Sequence, residues 1–222
     1  MRVAILLCGH IRSWDVCKQA FMTAISDIDC DVYVSTYNIL LGYHPYMQTS
    51  LMIDREMNRL ILSPAEIGEL IGLNCEVVTV NNTDSITPCY NSPVLSDIFS
   101  QYNTIKQCLD SVIMSGKQYD LVIKTRFDIT YSEPFINFIR DNNNQNLLLL
   151  SSGPSVQPCD QVFIGTISAI KDLLDNLLGS HTRPVNNPHE WLDICLKNIP
   201  HKIAISHVTK TPLVTTIIRK SG

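Results

Sequence analysis

Residues Val3-Ala4-Ile5-Leu6-Leu7-Cys8 form an unbroken apolar run near the amino end, followed at once by Gly9 and a polar turn. Six consecutive apolar residues of strand length fit a strand covered on both faces, which calls for a layer of helices above and below it. The next segments keep to that plan. Trp14 to Ile25 has helical spacing, and Cys30 to Tyr37 (CDVYVSTY) is β-branched and aromatic, as in a strand. A strand, a helix and a strand in this order imply a right-handed βαβ unit and a mainly parallel sheet.

Further along, Ser63-Pro64-Ala65-Glu66 carries the residues of a capping box and opens a helix. Glu76 to Val80 is a third strand and Asn81 to Ser92 a polar loop. Pro93 begins the longest helix, whose Leu95, Ile98, Phe99, Tyr102, Ile105, Leu109, Val112 and Ile113 share one face, and Gly116 ends it. Asp120 to Ile129 is expected as a fourth strand, Leu147 to Ser152 and Gln161 to Ile167 as two more. Ser168 to Leu178 and Asn187 to Asn198 are helices, and Ile203 to Ile218 is strand-like, interrupted by Pro212. The late clustering of strands points to a mixed or antiparallel addition to the sheet. The expected architecture is a three-layer α/β domain with Val3 to Cys8 in its interior, and residues 1–222 read as one domain.

The composition narrows the function. Charged residues make up 17% of the 222, and 17 Lys and Arg stand against 21 Asp and Glu, a net charge of −4. A chain that tracks phosphate backbones carries a basic surplus, so nucleic acid is not an expected partner. No apolar run reaches membrane-spanning length, and the first run is a strand rather than a signal peptide. The eight cysteines contain no C-x-x-C pair, so reduced thiols in a cytoplasmic protein are expected. The six histidines form no H-x-x-x-H pair, and no G-x-S-x-G elbow is present.

In open parallel sheets, ligands bind beyond the carboxyl ends of the strands. After the first strand come Gly9 and Arg12. Gly9 lets a ligand approach the backbone, and Arg12 with the helix start favours an anion such as a diphosphate. In the fourth strand, alternation puts Leu121, Ile123, Thr125, Phe127 and Ile129 on one face. It puts Val122, Lys124, Arg126, Asp128 and Thr130 on the other, which turns charged toward the carboxyl end. Asp128 is a candidate ligand for a divalent cation, and Lys124 and Arg126 for phosphate. The alternative is a surface strand with an internal Arg126–Asp128 contact. Asp160 is a candidate base or acceptor contact, with no local structural duty. Glu190, three residues after Asn187, is a second candidate that a capping box explains equally well.

The segments RVAILLCGHIRSWD, CDVYVSTYN, QYNTIKQCLDSV, YDLVIKTRFDI, DQVFIGTISAIKDL and IIR, in this order, resemble compact glycosyltransferases of bacterial and viral polysaccharide gene sets. The resemblance spans nearly the whole chain. It implies a Rossmann-like GT-A-type fold, a nucleotide-diphosphate-sugar donor, and a glycan or a lipid- or protein-linked sugar as acceptor. It also implies Mn²⁺ or Mg²⁺. Asp128, in Arg126-Phe127-Asp128, matches the carboxylate of the family's D-x-D motif. Gly9 and Arg12 match its donor turn, Gln101 and Tyr102 a polar–aromatic pair on the long helix. Asp160 and Glu190 match its late acidic positions. The second acid of D-x-D is replaced by Thr130, which leaves a metal-independent enzyme open. A non-catalytic nucleotide- or sugar-binding module of the same fold is the alternative.

Overall fold

The computed structural model describes residues 1–11, 14–41, 59–81, 93–131, 136–137, 139, 147–151, 161–179, 188–201, 203–207 and 214–217. The elements follow as β1 (Arg2–Cys8), α1 (Trp14–Ile25), β2 (Asp29–Tyr37), β3 (Ile39–Leu41), β4 (Arg59–Ile61), α2 (Pro64–Ile71), β5 (Val77–Asn81) and α3 (Pro93–Met114). Then come β6 (Leu121–Thr125), β7 (Ile129–Tyr131), β8 (Leu147–Ser151), β9 (Phe163–Gly165), α4 (Ile167–Gly179), α5 (Pro188–Leu196), β10 (Ile203–His207) and β11 (Val214–Ile217).

Seven strands form the main sheet, in the order β10-β8-β9-β6-β1-β2-β5. β1 pairs in parallel with β2 and β6, β2 with β5, and β8 with β10. β9 runs against both of its neighbours, β6 and β8. The apolar run at the amino end thus sits inside a mixed, mainly parallel sheet, as its composition requires.

Alternation along β1 divides the core in two. Val3, Ile5 and Leu7 pack with Val32, Val34 and Ile123 beneath Trp14, Cys17 and Phe21 of α1 and Ile67 and Ile71 of α2. Ala4, Leu6 and Cys8 pack on the other face with Ile105, Leu109 and Val112 of α3, Leu173 and Leu177 of α4, and Trp191 of α5. Two helical layers therefore cover one sheet, and both faces of its central strand are dry. Each large side chain buried this way contributes on the order of 1.5–3 kcal/mol. Indole nitrogens entering these layers find carbonyls. Trp14 Nε1 donates to Ile71 O at 3.0 Å, and Trp191 Nε1 donates to Leu177 O at 3.0 Å. The expected capping box is formed: Glu66 N donates to Ser63 Oγ at 3.3 Å, and Ser63 N donates to Glu66 Oε2 at 2.8 Å.

Two expectations need correction. Asp120 to Ile129 is not one strand. β6 ends at Thr125, residues 126–128 turn, and β7 joins β11 in a separate antiparallel pair. At the bend the Phe127 ring meets Trp14 of α1, and Phe127 and Ile129 stay in the same core layer as Ile123, the face that alternation assigns them. The segment Gln161 to Ile167 contributes only Phe163–Gly165 as strand, and α4 begins at Ile167.

The chain winds outward from β1 to β2 and β5, then returns through α3 to β6 on the opposite side of β1. The boundary between β1 and β6 is therefore a topological switch point. In sheets of this kind the crevice opens there, beyond the carboxyl ends of the strands.

Candidate functional site

Gly9 and Arg126 each stand just past the carboxyl end of one of the two strands that flank the switch point. Gly9 has φ 109°, a conformation that L side chains rarely adopt, and no described atom lies within 4 Å of where its Cβ would be. Its backbone is held from below. Gly9 N donates to Ser35 O at 3.1 Å, and Thr36 Oγ1 donates to Gly9 O at 2.8 Å. A bare, fixed backbone facing open space is what close approach of a ligand needs.

The support under this turn is polar and buried. Ser35 and Thr36 are fully buried at the end of β2. Asn81, the last residue of β5, donates from Nδ2 to Ser35 Oγ and to Thr36 O, both at 3.0 Å. Ser35 Oγ donates in turn to Gln107 Oε1 of α3 at 2.9 Å. Every bond here is one that a buried hydroxyl or amide would otherwise lose at a cost of about 1–3 kcal/mol, so the network fixes the strand ends. Beside it the His10 ring stacks on Tyr37, with centroids 4.5 Å apart and planes at 26°. Sequence reasoning missed this group. Its signal lay in the polar endings of CDVYVSTYN and VVTVN, where apolar strands turn to Ser, Thr and Asn at their carboxyl ends.

The other wall carries charge. Lys124 is 1% exposed, donates from Nζ to Gln161 O at 3.3 Å, and lies over the Phe163 ring, 5.1 Å from its centroid. It is thus placed beneath the crevice, where it braces the residue that follows Asp160. Arg126 grips Asp128 with two hydrogen bonds, Nε to Oδ1 at 2.9 Å and Nη2 to Oδ2 at 2.8 Å. The Asp128 side chain is 2% exposed and that of Arg126 20%. Burial raises the Cys17 thiol to about 11, and the negative charge of Asp128 adds to that rise. Asp128 therefore acts on the α1 side of the sheet, whereas Lys124 lies on the Phe163 side. The single charged face expected from alternation is split by the turn.

The remaining candidates are placed as follows. Gln101 is half-buried on α3, one residue before Tyr102, which is 1% exposed inside the core. Glu190 is half-buried in the first turn of α5, next to the Trp191 that ties α5 to α4. Arg12, Asp160 and the proposed cap Asn187 lie outside the described residues.

The donor chemistry does not favour a cation at Asp128. Both of its carboxylate oxygens accept from Arg126. Among the described residues, no three His, Cys, Asp or Glu side chains come together as metal ligands do. Six cysteines, Cys8, Cys17, Cys30, Cys75, Cys108 and Cys195, are free thiols. Among the described residues, no helix is long and apolar enough to cross a membrane.

No family model matches the chain, and no curated protein matches it in sequence. Solved structures do match in shape. A protein assigned as a nucleotide-diphospho-sugar transferase from Desulfovibrio desulfuricans G20 superposes with a TM-score of 0.50 at 7% identity, over 93% of this chain and 79% of that one. A nucleoside-diphosphate-sugar pyrophosphorylase from Vibrio cholerae RC9 gives 0.48 at 10% identity, over 93% and 91% of the two chains. The glycosyltransferase GlyE of Streptococcus pneumoniae TIGR4 gives 0.44 at 12% identity, over 92% of this chain and 44% of that one. The first of these establishes that the α/β fold, a mixed and mostly parallel sheet between helical layers, is shared with the Desulfovibrio protein.

Proposed function

We propose that this chain is a glycosyltransferase that moves a sugar from a nucleotide-diphosphate-sugar donor to a hydroxyl of a glycan or of a lipid- or protein-linked sugar. The observation that carries the reading is the pairing, at the β1/β6 switch point, of a bare backbone at Gly9 with a guanidinium at Arg126. One suits close approach of a diphosphate and the other suits its charge. The sugar-nucleotide role assigned to the Desulfovibrio protein of the same fold agrees with it.

In such a transfer the acceptor oxygen bonds to the anomeric carbon as the bond to the diphosphate breaks. The diphosphate leaves with the electron pair, and the acceptor hydroxyl gives up its proton to a base. The chain must therefore stabilise negative charge on the leaving oxygen and supply a carboxylate. Arg126, and Arg12 after Gly9, serve the first need. Asp160 is the leading candidate for the second, because Lys124 braces the adjacent Gln161 at the end of β6, and Glu190 follows it. The stacked His10 and Tyr37 offer a flat surface to a nucleobase at the same end of the sheet. Mn²⁺ or Mg²⁺ would enter with the donor and draw its ligands from outside the Arg126–Asp128 pair. A role in polysaccharide synthesis in the cytoplasm suits this chemistry and the free thiols.

Calorimetric titration of a panel of nucleotide sugars, with and without Mn²⁺, followed by a donor-hydrolysis assay, tests the proposal. One nucleotide sugar should bind in preference to the others and be turned over. Binding without turnover would assign the chain to the alternative, a non-catalytic nucleotide- or sugar-binding module. Absence of binding across the panel would overturn both.

A further inference from the structure

We infer that Asn81 is a positioning residue for the donor: its side-chain amide, at the carboxyl end of β5, sets the Gly9 turn two strands away by way of Ser35 and Thr36. The inference deepens the donor reading above and rests on it for the choice of ligand.

Both polar groups of Gly9 are spent on β2. Gly9 N donates to Ser35 O at 3.1 Å, and Gly9 O accepts from Thr36 Oγ1 at 2.8 Å. What the turn offers a ligand is therefore clearance at its Cα, where no described atom lies within 4 Å of an added Cβ, and not an N–H donor. Clearance of this kind serves a ligand only while the two β2 residues hold still. Asn81 holds both at once, since Nδ2 donates to Ser35 Oγ and to Thr36 O, each at 3.0 Å. Its own main chain is anchored as well, with Asn81 O accepting from Asn38 N at 2.9 Å.

The direction of the amide is fixed. A carbonyl only accepts, so the group that faces Thr36 O is the NH₂, and a flipped amide would set oxygen against oxygen. Ser35 Oγ accepts from Asn81 and passes its own proton on to Gln107 Oε1 of α3 at 2.9 Å. Sheet pairing does not require such a group. β2 packs through Val32 and Val34, and an apolar pair in place of a buried hydrogen-bonded one is close to neutral for stability. Yet Ser35 and Thr36, both fully buried, put hydroxyls where β2 meets the Gly9 turn.

A residue that only stabilised the fold would act on the whole sheet alike, whereas a positioning residue acts first on the turn. Tyr119 supplies the contrast. At the amino ends of the strands, its Oη donates to Asp31 Oδ2 at 2.5 Å and lies 2.8 Å from Tyr33 Oη.

Native-state hydrogen exchange, followed by NMR in the ligand-free full chain, compares two amides. Leu6, inside β1, reports opening of the sheet, and Gly9 reports the turn. Asn81→Leu, close in shape but without donors, and Thr36→Val, which loses the hydroxyl, should each speed exchange at Gly9 relative to Leu6 on the order of tenfold or more. Thr36→Ser, which keeps the hydroxyl, should not. Tyr119→Phe should speed both amides by the same factor. Inorganic pyrophosphate is then titrated by calorimetry, with and without Mg²⁺. Asn81→Leu and Thr36→Val leave the charge unaltered, and each should weaken pyrophosphate binding on the order of tenfold or more. Thr36→Ser and Tyr119→Phe should leave it unchanged. Should Asn81→Leu fail to fold, Asn81→Ala takes its place. The inference is overturned if Gly9 and Leu6 keep their relative exchange rates without the Asn81 amide, or if that variant binds pyrophosphate as tightly as the unaltered protein. Pyrophosphate failing to bind the unaltered protein would refute the donor reading, and the exchange comparison would still decide whether Asn81 sets the turn.

Discussion

Trp14 and Phe127 meet edge to face, their ring centroids 5.4 Å apart and their planes at 86°. The contact joins the first turn of α1 to the bend after β6, so it sets where Arg126 and Asp128 stand. Both rings are fully buried, and the Phe21 ring also lies 5.4 Å from that of Trp14. Phe127→Ala should cost about 3–5 kcal/mol in stability, measured by denaturant unfolding. Phe127→Leu, which keeps the volume better, should cost less. If the alanine variant unfolds at the same denaturant concentration as the parent, Phe127 does not hold the bend.

Gly9→Ala should separate conformational strain from crowding. No described atom would contact the new Cβ, so the penalty comes from holding an L residue at φ 109°. Stability should fall by about 1–3 kcal/mol. The methyl group would also stand in the open space above the turn, so pyrophosphate affinity should fall with it. Unchanged stability together with unchanged affinity would show that the turn is neither strained nor used.

At the amino ends of the strands, remote from the crevice, Asp31 accepts from Arg2 Nη2 at 2.8 Å, Lys117 Nζ at 3.2 Å and Tyr119 Oη at 2.5 Å. Burial on its own would raise the Asp31 carboxyl. The hydrogen bonds from Tyr119 and Lys117 and the charges of Lys117 and Arg2 outweigh burial and hold it below its ordinary value. A carboxyl depressed in the folded state contributes stability above its unfolded pKa of ~3.9 and loses it as pH falls through the folded value. Asp31→Asn should therefore melt lower than the parent at neutral pH, with the gap closing below about pH 4. A gap that persists undiminished at pH 3 would assign the effect to shape rather than charge.

The two candidate acids should part company in a transfer assay. Asp160→Asn should lower turnover by ~10²–10⁴-fold while donor affinity holds. Glu190→Gln should act mainly on melting temperature, as loss of a helix-start carboxylate would. The reverse pattern, with Glu190→Gln inactive at an unchanged melting temperature, would exchange their roles.

How far the sequence led depended on how local each signal was. α1 is legible to the residue, because Trp14, Cys17, Phe21, Ala24 and Ile25 repeat at helical spacing within one segment. The Ser63–Glu66 box spans only four residues and forms as read. The break at Thr125 was not legible. It depends on Trp14, more than a hundred residues earlier, and on β11, far later in the chain. The same holds for the bonds from Asn81 to Ser35 and Thr36, which join residues 46 and 45 positions apart. The Arg126–Asp128 contact lies within three residues and was visible as an alternative. The burial of its acid was not legible, because it depends on what packs around the bend after β6.

The long return that makes the switch point also has a cost during synthesis. Arg2 and Asp120 are bonded although 118 residues separate them. One edge of β1 finds β2 early, but the other must wait for β6. At ~5–20 residues per second that delay is on the order of ten seconds. For that time an all-apolar strand has an unpaired edge, which is the template that aggregation uses. Slower translation lengthens that exposure, so yield on overexpression should fall when synthesis is slowed and rise when chaperones are supplied.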